Sequence, residues 1–174
     1  MTVYAVDLWI SARENYQRIQ SWEMEDLIIP LHADALHLPF ADQYFDAIIS
    51  VDAYHYFGNN DHFFERKIKP LLKVGGYIAL AFPGMKEEIH DTIPADMFPF
   101  WDAEALPMWQ TIAWWRPKFS PFLADFCIKE LACFDEAWQD WLSSDNPYAV
   151  GDRPMMQADN GRYMNLIGIT GVLR

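Results

Sequence analysis

Short apolar runs alternate with helical segments along the first half of the chain. The apolar runs lie at 2–7, 27–34, 45–52 and 77–84. They are nearly continuous rather than alternating with polar residues, which is typical of strands buried on both faces of a parallel sheet. Ser11, and then Asn60 or Asp61, can cap the helices between them. The pattern predicts an α/β fold with a mostly parallel central sheet and helices on both faces.

The second half of the chain has a different pattern. Prolines and tryptophans are frequent at 85–125, which predicts loops and short helices that act as a lid or substrate region. The aromatic rings there can wall a substrate pocket, although such rings more often belong to the core or to the face of a dimer. A strand at 126–134, a helix at 135–144 and a strand at 163–174 follow. Two late strands without a full crossover helix predict an antiparallel C-terminal edge, and residues 1–174 are expected to form a single domain with 1–84 as its cofactor-side core.

Charge restricts the class of partner. The chain has 13 Lys+Arg against 25 Asp+Glu, a formal net charge of -12 at pH 7, and 52% hydrophobic residues. An acidic surface repels nucleic acid and anionic membranes. The sequence therefore predicts a small-molecule substrate rather than nucleic acid or a membrane.

The two cysteines and the N-terminal residues indicate the cellular compartment of the protein. Cys127 and Cys133 lie in one predicted strand, which holds their sulfurs roughly 20 Å apart and excludes a disulfide between them. No run approaches the roughly 18 apolar residues of a membrane span, and the first residues do not resemble a signal peptide. We expect a cytoplasmic protein with reduced thiols.

Aspartates follow three of the predicted strands. Asp7, Asp34 and Asp52 each come where a buried strand ends. Ligands of open α/β sheets bind at the carboxyl ends of the strands, where a carboxylate can accept both hydroxyls of a ribose. A single aspartate after a strand is more often a turn former or helix cap than a ligand-binding residue. Three such positions on one sheet favour a nucleotide-like ligand.

An ordered set of motifs carries a family resemblance. The segments are "VYAVDLW", "IIPLHADALHLPFADQYFDAIISVDAYHYF" and "IKPLLKVGGYIALAFPG". Together they resemble the middle of a class I methyltransferase that uses S-adenosylmethionine, a Rossmann-like family. The resemblance covers roughly 3–84, about half of the chain.

The resemblance implies an adenosine site. Asp7 would accept the two ribose hydroxyls, and Leu8 and Trp9 would lie against the adenine. Asp34 would accept the adenine amine, with the Ala35 backbone nearby. The carboxylates would then select adenosine.

The resemblance also places groups near the transferred methyl. The residues from Ser50 to Asp52 would face the methionine end of the cofactor. Tyr54 and His55 follow, and His55 can deprotonate a nucleophile because the usual pKa of histidine lies near neutral pH. The alternative is that His55 caps or packs against the next helix. The histidines and cysteines show no zinc-ligand spacing, so no metal is expected.

One family feature is missing from the sequence. Class I methyltransferases have an earlier strand and a glycine-rich turn against the methionine part of the cofactor, whereas the first glycine here is Gly58. The chain is expected to be N-terminally truncated relative to the family. In the family, the missing strand lies between those predicted at 2–7 and 45–52, so two open strand edges are expected. Open apolar edges recruit another chain, and we expect a homo-oligomer with weak or absent cofactor binding.

Three functions remain in view. The first is S-adenosylmethionine-dependent methyl transfer to a small molecule, incomplete in this chain. The second is a non-catalytic, self-associating fragment of the fold that does not bind the cofactor. The third is a nicotinamide-dependent oxidoreductase, against which the motifs at 38–50 and 71–80 argue.

Overall fold

The chain divides into two compact units. A computed structural model describes residues 1–174, and these separate into Met1–Ala41 and Asp42–Arg174. A single domain over the whole chain stays a prediction. No helix of either unit is both long enough and apolar enough to cross a membrane.

The first unit is one strand–helix–strand motif. Strands β1 (Val3–Asp7) and β2 (Ile28–His32) pair in parallel, and helix α1 (Ala12–Ser21) connects them. The Ser11 side chain caps α1 by accepting a hydrogen bond from the Glu14 backbone at 3.2 Å, as its residue type predicts. The strand and helix positions predicted for this segment are confirmed to within two residues at most ends.

The second unit contains a four-stranded sheet. Its strands are β3 (Phe45–Val51), β4 (Leu72–Met85), β5 (Leu123–Glu130) and β6 (Met164–Leu173). Their order is β3-β4-β6-β5. The β3–β4 pair is parallel, while β6 runs antiparallel to both β4 and β5. The predicted antiparallel C-terminal strands are therefore confirmed. Because β6 lies inside this four-stranded sheet, the sheet is mixed rather than mostly parallel.

The helices of the second unit include one that the sequence pattern missed. The α-helices are α2 (Tyr54–Phe57), α3 (Ile112–Phe119), α4 (Phe134–Ser143) and α5 (Pro147–Asp159). Helix α4 matches the predicted helix. The strand predicted at 126–134 is β5 at Leu123–Glu130, so the prediction that Cys133 lies in one strand with Cys127 is wrong, and Cys133 is instead the N-cap of α4. Helix α5 was not predicted because it contains Gly151 and Pro154, residues that disfavour helix interiors.

The helix predicted after Asn60 or Asp61 is not a regular α-helix. The chain instead forms a π-helical turn over Phe64–Ile68 and a 3₁₀ turn over Lys69–Leu71. Pro70 explains the outcome, because proline lacks a backbone N–H and its ring clashes with the carbonyl four residues earlier in an α-helix. The wide turn still buries Phe64 and Ile68.

Strand β4 begins earlier than predicted and contains an irregularity. Phe45 pairs with Leu72, but Ala47 pairs with Tyr77, so β4 has extra residues between the two pairs. Gly75 lies in this bulge with φ of 79°, a conformation that glycine adopts without steric cost. The expectation of a positive φ at Gly75 or Gly76 is confirmed at Gly75.

Two apolar clusters form the core of the second unit. One packs around Phe82 and Trp115, both fully buried. The other packs around Trp101 and Met164. The deepest aromatic rings of the region at 85–125 therefore belong to the core rather than to an open pocket wall.

One face of β3 is exposed and apolar. Ile49 and Val51 are 72% and 71% exposed, whereas Ile48 on the opposite face packs against the core. Only β4 pairs with β3, and only β2 pairs with β1. β1 in the first unit and β3 in the second unit therefore each have one edge that pairs with no other strand, as expected.

Candidate functional site

Asp7 closes the turn that follows β1. Its Oδ1 accepts hydrogen bonds from the Trp9 and Ile10 backbone N–H groups, both at 2.8 Å. Its Oδ2 accepts none from the chain. The side chain therefore fulfils the turn-forming role and still has a free acceptor oxygen, so the two interpretations of this aspartate are compatible.

Asp34 has the same arrangement after β2. Its Oδ1 accepts from the Leu36 N–H at 2.8 Å, capping a 3₁₀ turn over Ala35–His37. Its Oδ2 lies 3.6 Å from His37 Nδ1, a longer contact than a hydrogen bond. Because the Ala33 N–H donates to the Asp7 main-chain oxygen at 3.0 Å, both aspartates lie at the carboxyl end of the two-stranded sheet.

Apolar side chains lie beside these carboxylates. Leu8 is 50% exposed and Trp9 is 77% exposed. His32 Nε2 lies 2.8 Å from the Leu8 carbonyl oxygen and holds this turn against β2. Ala35 is half-buried. The first unit thus presents two carboxylates and an exposed indole on one short surface, a combination that suits a planar ligand with several hydroxyl or amine donors.

In the second unit, Ser50 and Asp52 lie at the end of β3. Ser50 is half-buried, and Asp52 has a φ of 52° while its N–H donates to the Ala81 carbonyl at 2.8 Å. Left-handed backbone is uncommon outside glycine, although aspartate tolerates it better than most residues. The bend that β3 makes here directs the chain into α2.

The carboxylate of Asp52 has a raised pKa. Removal of this group from water and, to a smaller extent, the charge of Asp152 together raise its pKa to about 6, although the residue as a whole remains exposed. The pKa of Tyr56 is also raised, first by burial and then by the charges of Asp52 and Asp152. These three side chains therefore share one electrostatic environment.

Sequence reasoning missed Asp152. It lies on α5, and its Oδ2 accepts from Trp141 Nε1 at 2.8 Å. Burial raises its pKa, and the hydrogen bond from Trp141 opposes that rise. No signal in the sequence connects Asp152 with Asp52, because the helix that carries it was itself not predicted.

His55 and Tyr54 are both buried. His55 is 1% exposed, its Nδ1 has no hydrogen-bond partner, and burial lowers its pKa to about 4. It is therefore neutral at pH 7. Tyr54 lies among aromatic rings, including Phe82 and Trp115, and burial raises the pKa of its hydroxyl far above the usual value. Their catalytic roles stay predictions, and Tyr54 is also a core residue.

Comparison with known proteins identifies the fold. Residues 1–80 match the family model described as a methyltransferase domain. A phosphoethanolamine N-methyltransferase 2 from Haemonchus contortus is 17% identical with a TM-score of 0.74, over 99% of this chain and 43% of that one. The chain has the class I methyltransferase fold. The family resemblance predicted from sequence is confirmed.

Two further structures share the class I methyltransferase fold with this chain. A geranyl diphosphate C-methyltransferase from Streptomyces coelicolor A3(2) is 13% identical with a TM-score of 0.71, over 98% of this chain and 61% of that one. The MccD protein is 17% identical with a TM-score of 0.66, over 99% of this chain and 80% of that one. The chain thus spans between 43% and 80% of the three solved proteins. No curated protein sequence matches it significantly.

The titles of two of these structures name their ligands. The Haemonchus contortus structure is a complex with S-adenosyl-L-methionine. The Streptomyces coelicolor structure contains S-adenosyl-L-homocysteine, Mg²⁺ and geranyl-S-thiolodiphosphate. The first of these ligands is the cofactor that the sequence resemblance implies.

Proposed function

We propose that the chain takes part in S-adenosylmethionine-dependent methyl transfer to a small-molecule acceptor. The observation that carries this proposal is the pair Asp7 and Asp34. Each follows one of two paired parallel strands and closes its own turn with Oδ1, and neither Oδ2 is used in a hydrogen bond.

The residues of the first unit fit adenosine. Asp7 would bind the ribose hydroxyls through its carboxylate, and Asp34 would accept from the adenine amine. Leu8, Trp9 and Ala35 would contact the base, and the 77% exposure of Trp9 leaves most of its ring accessible. A carboxylate that accepts from two hydroxyls also favours adenosine over ligands without a diol.

The bound cofactor would supply an electrophilic methyl group on a sulfonium centre. We assign Ser50 and Asp52 to the methionine part, as the resemblance implies. With its pKa near 6, Asp52 is mostly ionised at pH 7 and can accept a proton. The neutral imidazole of His55, whose Nδ1 is buried and has no hydrogen-bond partner, is the second proposed base.

Calorimetric titration with S-adenosylhomocysteine tests the adenosine site. We expect the wild-type chain to bind and Asp7→Asn to bind about tenfold or more weakly, since hydrogen bonds to charged groups contribute about 1.5–3 kcal/mol. Asparagine keeps an oxygen for the turn after β1, so the variant isolates the lost acceptor. Exposed Glu25→Gln is the matched control. Equal affinity in all three chains would overturn the assignment.

A second candidate function has its own supporting observation. The exposed apolar face at Ile49 and Val51 and the open edge of β3 favour self-association. In this alternative the chain is a non-catalytic homo-oligomer that does not bind the cofactor. Light scattering on the same sample separates the two, because a folded oligomer that leaves S-adenosylhomocysteine unbound supports only the alternative.

The surface that mediates self-association is tested by Ile49→Lys. A charge at this position is expected to convert an oligomer to a monomer that remains folded, because the side chain is 72% exposed within one chain. A lysine at Val74, which is 73% exposed on β4, is the control for added charge. An unchanged mass for Ile49→Lys would show that β3 is not the contact surface.

A further inference from the structure

A cavity in the second unit lies apart from β3. Its volume is about 390 Å³, and it is bordered by the end of β4, the first turn of α3, the end of β5 and the start of β6. Met85 and Ile112 contribute apolar surface to it, while Asn165 and Glu130 contribute polar groups. The cavity is large enough for a small organic molecule.

Asn165 lines this cavity and has a hydrogen-bond acceptor without a partner. The residue is 1% exposed, and its Nδ2 donates to Glu130 Oε2 at 3.1 Å. Its Oδ1 is buried without a partner. Rotating the amide by half a turn would not help, because the amide oxygen would then face the carboxylate of Glu130. A buried acceptor without a partner costs free energy, so this position favours a ligand that donates a hydrogen bond.

The charges around the cavity favour a cation. Its lining includes three glutamates and a single lysine. Lys86 Nζ already donates to the Gly161 carbonyl at 2.6 Å, and Glu88 contacts His90. Glu87 and Glu130 remain without a cationic partner. A positively charged hydrogen-bond donor would supply the missing hydrogen bond to Asn165 Oδ1 and would also neutralise the charge of Glu130.

We propose that this cavity binds a small molecule carrying a protonated amine, whose N–H groups donate to Asn165 Oδ1 and to the Glu130 carboxylate. The first turn of α3 begins at Thr111 on another side of the cavity, where the helix dipole favours negative groups. The ammonium group therefore lies on the β5–β6 side. The apolar part of the ligand packs on Met85 and Ile112.

Two probes of similar shape and opposite charge test the proposal. Chemical-shift titration of the full chain with 2-phenylethylamine is expected to perturb the amides of Glu130 and Asn165. The same titration with 3-phenylpropionate is expected to leave them unchanged. Equal binding of both probes, or no binding of the amine, would overturn the proposal. The readout involves no methyl transfer, so failure of the proposed function would not affect it.

Two variants assign the contacts. Asn165→Leu removes the unsatisfied acceptor and is expected to weaken amine binding tenfold or more. Glu130→Gln keeps an oxygen for the Asn165 amide but removes the charge, and is expected to weaken binding several-fold. Glu104→Gln makes the same charge change outside the cavity lining and is expected to bind like wild type. Unchanged binding in Glu130→Gln, with its fold retained, would refute the ionic contact.

Discussion

The two units differ in how they bury apolar side chains. In Met1–Ala41 only Ile19 is buried among the hydrophobic residues, and Leu8, Trp9 and Ile29 are 45% exposed or more. In Asp42–Arg174 two apolar clusters enclose large rings such as Phe82 with no exposed surface. Burial of apolar surface is the dominant stabilising term in folding. The second unit therefore supplies most of the stability of the chain.

The difference extends to the candidate chemistry. The first unit has a two-stranded sheet, an arrangement that is marginally stable by itself, yet it carries both aspartates that we propose bind adenosine. A ligand that binds only the folded form stabilises it by an amount that grows with the logarithm of its concentration divided by its Kd. Cofactor binding is thus expected to matter most for the segment that has the smallest core.

The largest expected effect comes from the core of the second unit. Phe82→Ala should lower the free energy of unfolding by about 3–5 kcal/mol, because it leaves a cavity among Tyr54, Trp115 and their neighbours. Urea denaturation measures the change. Trp9→Ala in the first unit, which removes a larger but 77% exposed ring, should stay within about 0.5 kcal/mol of wild type. A loss at Trp9 as large as that at Phe82 would contradict the comparison.

The second-largest expected loss of stability comes from replacing a buried carboxylate at the end of α5. Asp159 is 0% exposed and accepts hydrogen bonds from the Gly161, Tyr163 and Met164 backbones. Asp159→Ala should cost about 2–3 kcal/mol, because buried N–H groups lose their acceptor. Thermal unfolding of this variant beside exposed Asp42→Ala measures it. Equal melting temperatures for the two variants would show that water replaces the carboxylate without cost.

The smallest effect is a pair of opposed pH dependences at the end of β3. The pKa of His55 is lowered to about 4, so between its usual value of 6.5 and about 4 the folded state binds fewer protons and stability falls as the pH falls. The pKa of Asp52 is raised from 3.8 to about 6, so in that window the folded state binds more protons and stability falls as the pH rises.

Single variants should separate these two slopes. Relative to wild type, His55→Gln should shift the pH dependence of stability towards a decline with rising pH between about 4 and 6. Asp52→Asn should shift it the opposite way, and the double variant should lie between them. Denaturant unfolding across this range provides the measurement. Shifts of the same sign in both single variants would disprove the opposed pKa directions.

The sequence predicted the parts of the fold that local pattern determines. Strands β1 to β3 and helix α1 are marked by apolar runs and by the Ser11 cap, and all four occur as expected. Helix α5 was not predicted because its glycine and proline disfavour a helix locally. Tertiary packing overrides such propensities in the folded chain. The π-helical turn before Pro70 depends on one ring clash rather than on periodicity.

The position of the candidate site was predictable to a similar extent. Asp7 and Asp34 could be placed at one end of a sheet because strand ends are visible in the sequence and parallel strands bring their carboxyl ends together. Asp152 and Asn165 were not found, since their importance depends on contacts between elements distant along the chain. A raised pKa at Asp52 or an unsatisfied oxygen at Asn165 is a property of the folded environment alone.

We propose that the first unit recognises adenosine through its two carboxylates. Amide chemical-shift mapping of the full chain with S-adenosylhomocysteine tests this proposal. We expect saturable shifts at Leu8, Trp9, Ala35 and Leu36 that are strongly reduced in Asp7→Asn. Shifts that are equal in wild type and Asp7→Asn, or that are absent from these four residues at saturation, would contradict it.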